Sequence, residues 1–245
     1  MTRDKIIITG ASSGLGEGMA REFAARGRSL GLAARRLDRL DALAGELTQA
    51  RKVVTARLDV SNVDEVPGAF SELAEGLGGV DRVIVNAGIG KGARIGTGKA
   101  WANLETVQTN LVGALAQIEA AMEIFRAQNS GHLVLISSMS AIRGLPKAQT
   151  AYSASKAGLS AIGQGLQTEL AGSPIKVSVI LPGYIETDIN RGVKTSMMAD
   201  TESGVQALVK AIESERKRVE VPSWPWAPIA VALRHLPDFL AAKLV

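Results

Sequence analysis

From the first residues to Pro182, short apolar runs alternate with longer stretches in which apolar residues recur every three or four positions. The short runs, at 5–9, 29–34, 52–58, 80–85, 131–137 and 175–181, are too continuously apolar for strands wetted on one face, so they predict strands covered on both sides. The stretches at 15–26, 37–50, 63–75, 101–127 and 151–171 carry the spacing of amphipathic helices. Strand and helix in strict alternation is the pattern of repeated βαβ units. The expected fold is therefore an α/β domain, doubly wound, with a mostly parallel sheet flanked by helices on both faces and ligands bound at the carboxyl ends of the strands. After Pro182 the rhythm breaks. Residues 184–216 read as a substrate-loop and lid region: a connection at 186–200 that includes Met197 and Met198, then a helix from 201 to 216. A short edge strand at 219–221 follows, and then a tail, 222–245, with Trp224, Trp226, four prolines and an apolar helical stretch at 229–233.

Composition narrows the chemistry. At 245 residues and 46% apolar content, with no linker, repeat or low-complexity segment, the chain reads as one domain, 1–245. It has no cysteine and only His132 and His235, which excludes disulfides and thiolate catalysis and leaves no set of ligands for zinc or haem, so no metal is expected. The first residues are too short and charged for a signal peptide, and no apolar run reaches the roughly 20 residues that span a bilayer, so a cytoplasmic location is expected. The net charge of +4 and the pI near 9.5 raise the question of nucleic acid. The basic residues are dispersed, however, the run Arg216-Lys217-Arg218 has Glu213, Glu215 and Glu220 beside it, and aromatics are few. Nucleic acid is not an expected partner.

Two constellations carry chemistry. Gly10, Ser12, Ser13, Gly14, Leu15 and Gly16 lie between the first strand and the first helix, where glycines let the backbone approach a pyrophosphate and a helix N-terminus offers free N–H donors. The second strand then ends on Arg35-Arg36 with no carboxylate before Asp38, which favours a 2′-phosphate, and so NADP(H), over a free ribose 2′-hydroxyl. Asp59-Val60 and Asn86-Ala87-Gly88 fall at the ends of the third and fourth strands, placed to line adenine and ribose. Farther on, Tyr152 and Lys156 lie four apart on a predicted helix, so phenol and ammonium share a face and the cation favours phenolate. Ser138 precedes them at the end of the fifth strand.

In chain order, Thr9-Gly10-x-x-x-Gly14-x-Gly16, Asp59-Val60, Asn86-Ala87-Gly88, Asn110, Ser138, Tyr152-x-x-x-Lys156 and Pro182-Gly183 with Thr187 make a set that resembles the short-chain dehydrogenase/reductase superfamily over almost the whole chain. The resemblance implies a Rossmann-type fold. It also implies a carbonyl and a secondary alcohol interconverted by hydride transfer, with Asn110, Ser138, Tyr152 and Lys156 as the catalytic set. Tyr152 would be the general acid or base, Ser138 would hold the substrate oxygen, Lys156 would bind ribose hydroxyls and lower the phenol pKa, and Asn110 would hold a water linking Lys156 to solvent. Pro182, Gly183, Ile185 and Thr187 would contact the nicotinamide side of the cofactor.

The chain departs from the family pattern in three places. The interval from Ser138 to Tyr152 is one residue longer than usual, which keeps Ser137 and Ser140 open as alternatives. Ser12 and Ser13 stand where many NADP-dependent members carry a basic residue, which leaves the 2′-phosphate to Arg35 and Arg36. The end of the chain lacks a Gly-rich final strand and resembles hydroxysteroid-dehydrogenase-like and long-chain carbonyl-reductase members, which implies a lipophilic substrate. A 3-oxoacyl thioester reductase and a non-catalytic NADP-binding sensor are the alternatives. The tail could cover the pocket, a partner subunit or a membrane surface, with burial against protein favoured over membrane contact. The small residues Ala114, Ala116, Ala120, Ala154, Ala157 and Ala161 imply a helical face for a homodimer or homotetramer.

Overall fold

The computed structural model describes residues 3–190 and 195–237. Residues 191–194 of the expected lid and 238–245 of the tail lie outside the described residues. Strands β1 (Lys5–Thr9), β2 (Ser29–Ala34), β3 (Lys52–Arg57), β4 (Arg82–Val85), β5 (Gly131–Ile136), β6 (Ile175–Pro182) and β7 (Arg218–Val221) form one sheet in the order β3-β2-β1-β4-β5-β6-β7. Every pairing is parallel, the edge strand included, because a helix makes the crossover from β6 to β7. The order reverses between β1 and β4, where the connections leave to opposite sides and open a crevice at the carboxyl ends.

Helices α1 (Gly14–Ala25), α2 (Leu37–Glu46), α3 (Val66–Leu77), α4 (Ala100–Val107), α5 (Gly113–Ala127), α6 (Thr150–Glu169), α7 (Thr201–Glu213) and α8 (Ser223–His235) complete the domain. The alternation of side chains along β1 divides the core. Ile7 packs with Phe70 of α3, Phe125 of α5 and Leu159 of α6, whereas Ile6 and Ile8 pack with Phe23 of α1, Leu40 of α2 and Leu208 of α7. All three isoleucines are fully buried, each worth about 1.5–3 kcal/mol relative to exposure.

The long helix expected at 101–127 is interrupted. Residues Gln108–Val112 form a π turn in which the Gly113 N–H reaches back to the Gln108 carbonyl. The apolar periodicity runs on through this turn, which is why the pattern did not reveal it. Two contacts select it: Asn110 turns inward to bond Ile89, and Gly113 presses so near the β3 exit that a Cβ there would stand 2.3 Å from the Val60 oxygen. The small residues also divide differently from the expectation. Ala114 and Ala120 are buried in the core, and Ala154, Ala157 and Ala161 are exposed.

At the end of the sheet away from the crevice, Arg82 is 2% exposed and donates through Nε to His132 Nδ1 at 2.9 Å, while His132 Nε2 meets Ser178 Oγ at 2.8 Å. Burial and the neighbouring guanidinium push the His132 pKa well down, so the ring is neutral. The rest of the Arg82 guanidinium reaches Glu213 and Glu215, tying the end of α7 to the central strands. Among the described residues no helix is long and apolar enough to cross a membrane.

Candidate functional site

A single cavity of about 500 Å3 runs along the carboxyl ends of the strands. At its first end, Gly10 adopts φ +66°, and a Cβ there would stand 2.8 Å from the Ala87 Cα; one on Gly16 would stand 2.2 Å from the Gly10 oxygen. Only glycine lets the β1–α1 turn lie flat against the end of β4. Asn86 and Thr9 hold that contact: Asn86 Nδ2 donates to the Thr9 carbonyl at 2.9 Å, and Thr9 Oγ1 accepts from the Asn86 and Ala87 N–H groups. The turn thus presents the start of α1, with its free N–H groups and positive dipole end, to whatever lies in the crevice.

Arg36, at the end of β2, donates to Ser12 Oγ at 3.0 Å and Ser13 Oγ at 2.9 Å. Two serines therefore hold one guanidinium over the turn, with Arg35 beside it on the cavity wall. Asp59 lies next along. Burial pushes its carboxyl up, but hydrogen bonds from the Ser61 hydroxyl and N–H and the charges of Arg35 and Arg57 outweigh that and hold it below its ordinary value. A glycine cradle at a helix N-terminus, a fixed guanidinium and a carboxylate in sequence fit the pyrophosphate, 2′-phosphate and adenosine end of a dinucleotide.

At the other end, Ser138 sits at the exit of β5, and its Oγ accepts the Ser140 N–H at 3.1 Å. The same hydroxyl is a polar neighbour of the Tyr152 phenol, which α6 presents to the cavity, and acts to lower its pKa. Among the three serines this favours Ser138. Ser137 spends its hydroxyl on the Lys156 carbonyl at 2.9 Å and Ser160 Oγ at 2.8 Å, and the Ser140 hydroxyl is buried without a hydrogen-bond partner. Lys156 is 5% exposed, donates to the Ile136 carbonyl at 2.9 Å, and lies 6.0 Å from the centre of the Tyr152 ring.

The acidities differ from the sequence expectation. Burial raises the Tyr152 pKa more than the Ser138 hydroxyl lowers it, so the phenol stays a weaker acid than a free one, and the neighbouring ammonium does not reverse this. The same desolvation acts on Lys156, lowering its pKa to about 8. Lys156 is thus the group held nearest neutrality.

Every residue expected at the site lines this cavity except Gly16, which lies behind the turn, and Asn110, which is 1% exposed. Asn110 is committed to protein: Oδ1 accepts the Ile89 N–H at 2.8 Å and Nδ2 donates to the Ile89 carbonyl at 2.9 Å. Its side chain fixes the loop after β4. The wall beyond Tyr152 is made of residues that sequence reasoning did not assign, chiefly Met139, Leu145, Tyr184 and, from the tail, Trp226, Ile229 and Leu233. The tail residues were legible as an apolar helical spacing, but nothing local told which surface they cover. Trp226 meets Tyr184 edge-on with ring centres 5.6 Å apart, and lies so close over Gly183 that a Cβ there would stand 2.0 Å from the indole. Trp224, at 79% exposure, and Val231 remain open to solvent.

Comparison with known proteins agrees with this architecture. The family model for short chain dehydrogenases matches residues 4–200. An uncharacterized oxidoreductase of Mycobacterium tuberculosis is 53% identical over 247 residues, covering 99% of this chain and 98% of its own. Dehydrogenase/reductase SDR family member 7B of Bos taurus is 33% identical over 260 residues, covering 98% of this chain and 79% of that one. Among solved structures, a short chain dehydrogenase from Burkholderia cenocepacia in complex with NADP superposes with a TM-score of 0.84 at 26% identity, covering 98% of this chain and 96% of that one. A short chain dehydrogenase/reductase from Burkholderia phymatum in complex with NAD gives the same TM-score at 24% identity, over 96% of this chain and 95% of the other. On the strength of the family match, the relatives and the shared architecture, the chain belongs to the short-chain dehydrogenase/reductase family of oxidoreductases.

Proposed function

We propose that the protein is an NADP(H)-dependent oxidoreductase that interconverts a ketone and a secondary alcohol, with a lipophilic substrate. The observation that carries this reading is the cavity that has Arg36 on its two serines at one end and Ser138, Tyr152 and Lys156 together at the other. The bound nicotinamide supplies or accepts the hydride. Arg36, with Arg35, binds the 2′-phosphate, and the β1–α1 turn binds the pyrophosphate through backbone N–H groups. Ser138 donates to the substrate oxygen and orients it on Tyr152. Tyr152 gives its phenolic proton to that oxygen in reduction and takes it back in oxidation; a phenol kept protonated by burial suits the reducing direction. Lys156 holds the ribose hydroxyls and passes the replacement proton to Tyr152, which its pKa of about 8 allows near neutrality. Asn110 keeps the loop after β4 in register with these groups.

The apolar wall formed by Met139, Leu145, Trp226 and Leu233 favours a lipophilic ketone over the thioester alternative. A sensor would have no use for Tyr152 and Lys156 together with Ser138 on one cavity wall. Outside the cavity, Trp101, Leu104, Val112 and Leu115 are exposed apolar residues along α4, the π turn and the start of α5, and α4 packs beside α6, which carries the exposed alanines. We take this as the face of a homodimer. The cofactor assignment is tested by Arg36→Ala. Its kcat/KM for NADPH should fall about tenfold or more, with that for NADH little changed; equal losses for both cofactors would remove Arg36 from 2′-phosphate binding.

A further inference from the structure

Helix α8 walls the cavity with little stability of its own. The helical part after Pro225 ends at His235 and contains Pro228, so it is shorter than the roughly 12–15 residues at which isolated helices become marginal in water. Its inner face, Trp226, Ala230 and Leu233, is buried, but apolar contact alone leaves a short helix free to slide and tilt. Beside a half-exposed Arg234–Glu220 pair to β7 at 3.5 Å, a second polar anchor is at its end. Arg143 Nη1 donates to the Leu233 carbonyl at 3.1 Å and to the Leu236 carbonyl at 2.5 Å, which puts a guanidinium on the negative end of the helix and satisfies carbonyls the helix cannot. Arg143 belongs to the loop between β5 and α6, the same loop that leaves Ser138.

We propose that Arg143 is a positioning residue for substrate specificity. It fastens α8 to the loop that carries Ser138, so that Trp226, Ile229 and Leu233 stand at a fixed distance from the oxygen held by Ser138 and Tyr152. The inference rests on the ketone–alcohol reading and deepens it: the ligand chemistry that this wall selects is a neutral ketone with a bulky apolar substituent. The charges that line the cavity agree with this. Arg35, Arg36 and Asp59 are at the dinucleotide end and Lys156 is beside Tyr152, whereas on the α8 side Met139, Leu145, Tyr184 and the four from α8, Trp226, Ile229, Ala232 and Leu233, include no acidic or basic side chain. An anionic substituent would lose its hydration there without meeting a cation.

The test uses the full-length chain with Arg143→Met, which keeps the length of the side chain without its donors, and Arg143→Lys, which keeps charge and donors. Amide hydrogen exchange in α8 should be about tenfold or more faster in the Met variant, with β5 and α6 unchanged. With acetone and benzophenone as small and bulky probes, the KM for benzophenone should rise about fivefold or more. Its kcat should stay within about twofold, the constants for acetone should not move, and Lys should restore most of the loss. Unchanged exchange in α8 overturns the proposal whatever the turnover, and so does an equal fall in kcat for both ketones, which would assign Arg143 to the Ser138 loop itself. If the wild type reduces neither ketone, the ketone reading fails separately and the exchange result still decides whether Arg143 holds α8.

Discussion

Burial moves the pKa values of Tyr152 and Lys156, neighbours on α6, in opposite directions. Lys156 falls from its ordinary 10.5 to about 8, while the Tyr152 phenol is raised. The spacing of Tyr152 and Lys156 was legible in the sequence because one helical turn brings positions i and i+4 together. The direction of the phenol shift was not, because it depends on how much water the fold removes, and no local pattern encodes that. Ser138 was named by the family resemblance with Ser137 and Ser140 left open, because local pattern cannot tell which hydroxyl the fold ties to α6; in the structure that is Ser137, while Ser138 accepts the Ser140 N–H. A buried ammonium is a cost to folding. Below pH 8 both folded and unfolded chains carry the Lys156 proton, so the penalty is constant; between about 8 and 10.5 the unfolded chain binds more protons, so stability rises with pH. Lys156→Met should therefore stabilise the protein at pH 7, on the order of 2 kcal/mol, with the gain shrinking above pH 8. Urea unfolding at pH 7 and about 9.5 checks this, and a variant no more stable than wild type at pH 7 would contradict it.

At the scale of elements, the strands and most helices were read correctly from period alone, because parallel strands covered on both faces and amphipathic helices differ so plainly in spacing. The misreading at 101–127 has a physical cause. A π turn inserts one residue without disturbing the apolar stripe, and what selects it is tertiary: Asn110 reaching Ile89, and Gly113 against Val60. Gly113→Val, with its Cβ 2.3 Å from the Val60 oxygen, should cost about 3 kcal/mol. Calorimetry should record a Tm lower by roughly 6–12 °C. An unchanged Tm would mean that the helix approaches β3 less closely than described. The tail shows the same limit from the other side. Its apolar spacing announced a helix, but the surface beneath α8 consists of Gly183 and Tyr184, which follow β6 and are distant in sequence from most of the wall they complete.

For the whole molecule, the alternation of elements and the right-handed crossover rule led to a doubly wound sheet, and the reversal between β1 and β4 put the crevice where the glycine turn and Asn86 meet. The Arg82–His132–Ser178 chain at the opposite end was not legible, since its members come from three separate strands. The exposed apolar residues Trp101, Leu104, Val112 and Leu115 mark the surface that a second copy would cover. Light scattering at micromolar concentration should give a mass near twice the 25.6 kDa of one chain, and Leu115→Glu should shift it toward a single chain. A wild-type mass of one chain would contradict the dimer.

The central claim is that this cavity reduces a carbonyl with Tyr152 as the proton donor. The most direct measurement is cofactor oxidation by wild type and Tyr152→Phe, with NADPH and a panel of apolar ketones, alongside NADPH binding by titration. The account predicts ketone-dependent turnover in the wild type, its loss by about a hundredfold or more in the variant, and unchanged NADPH affinity. Turnover by Tyr152→Phe equal to that of wild type would contradict it.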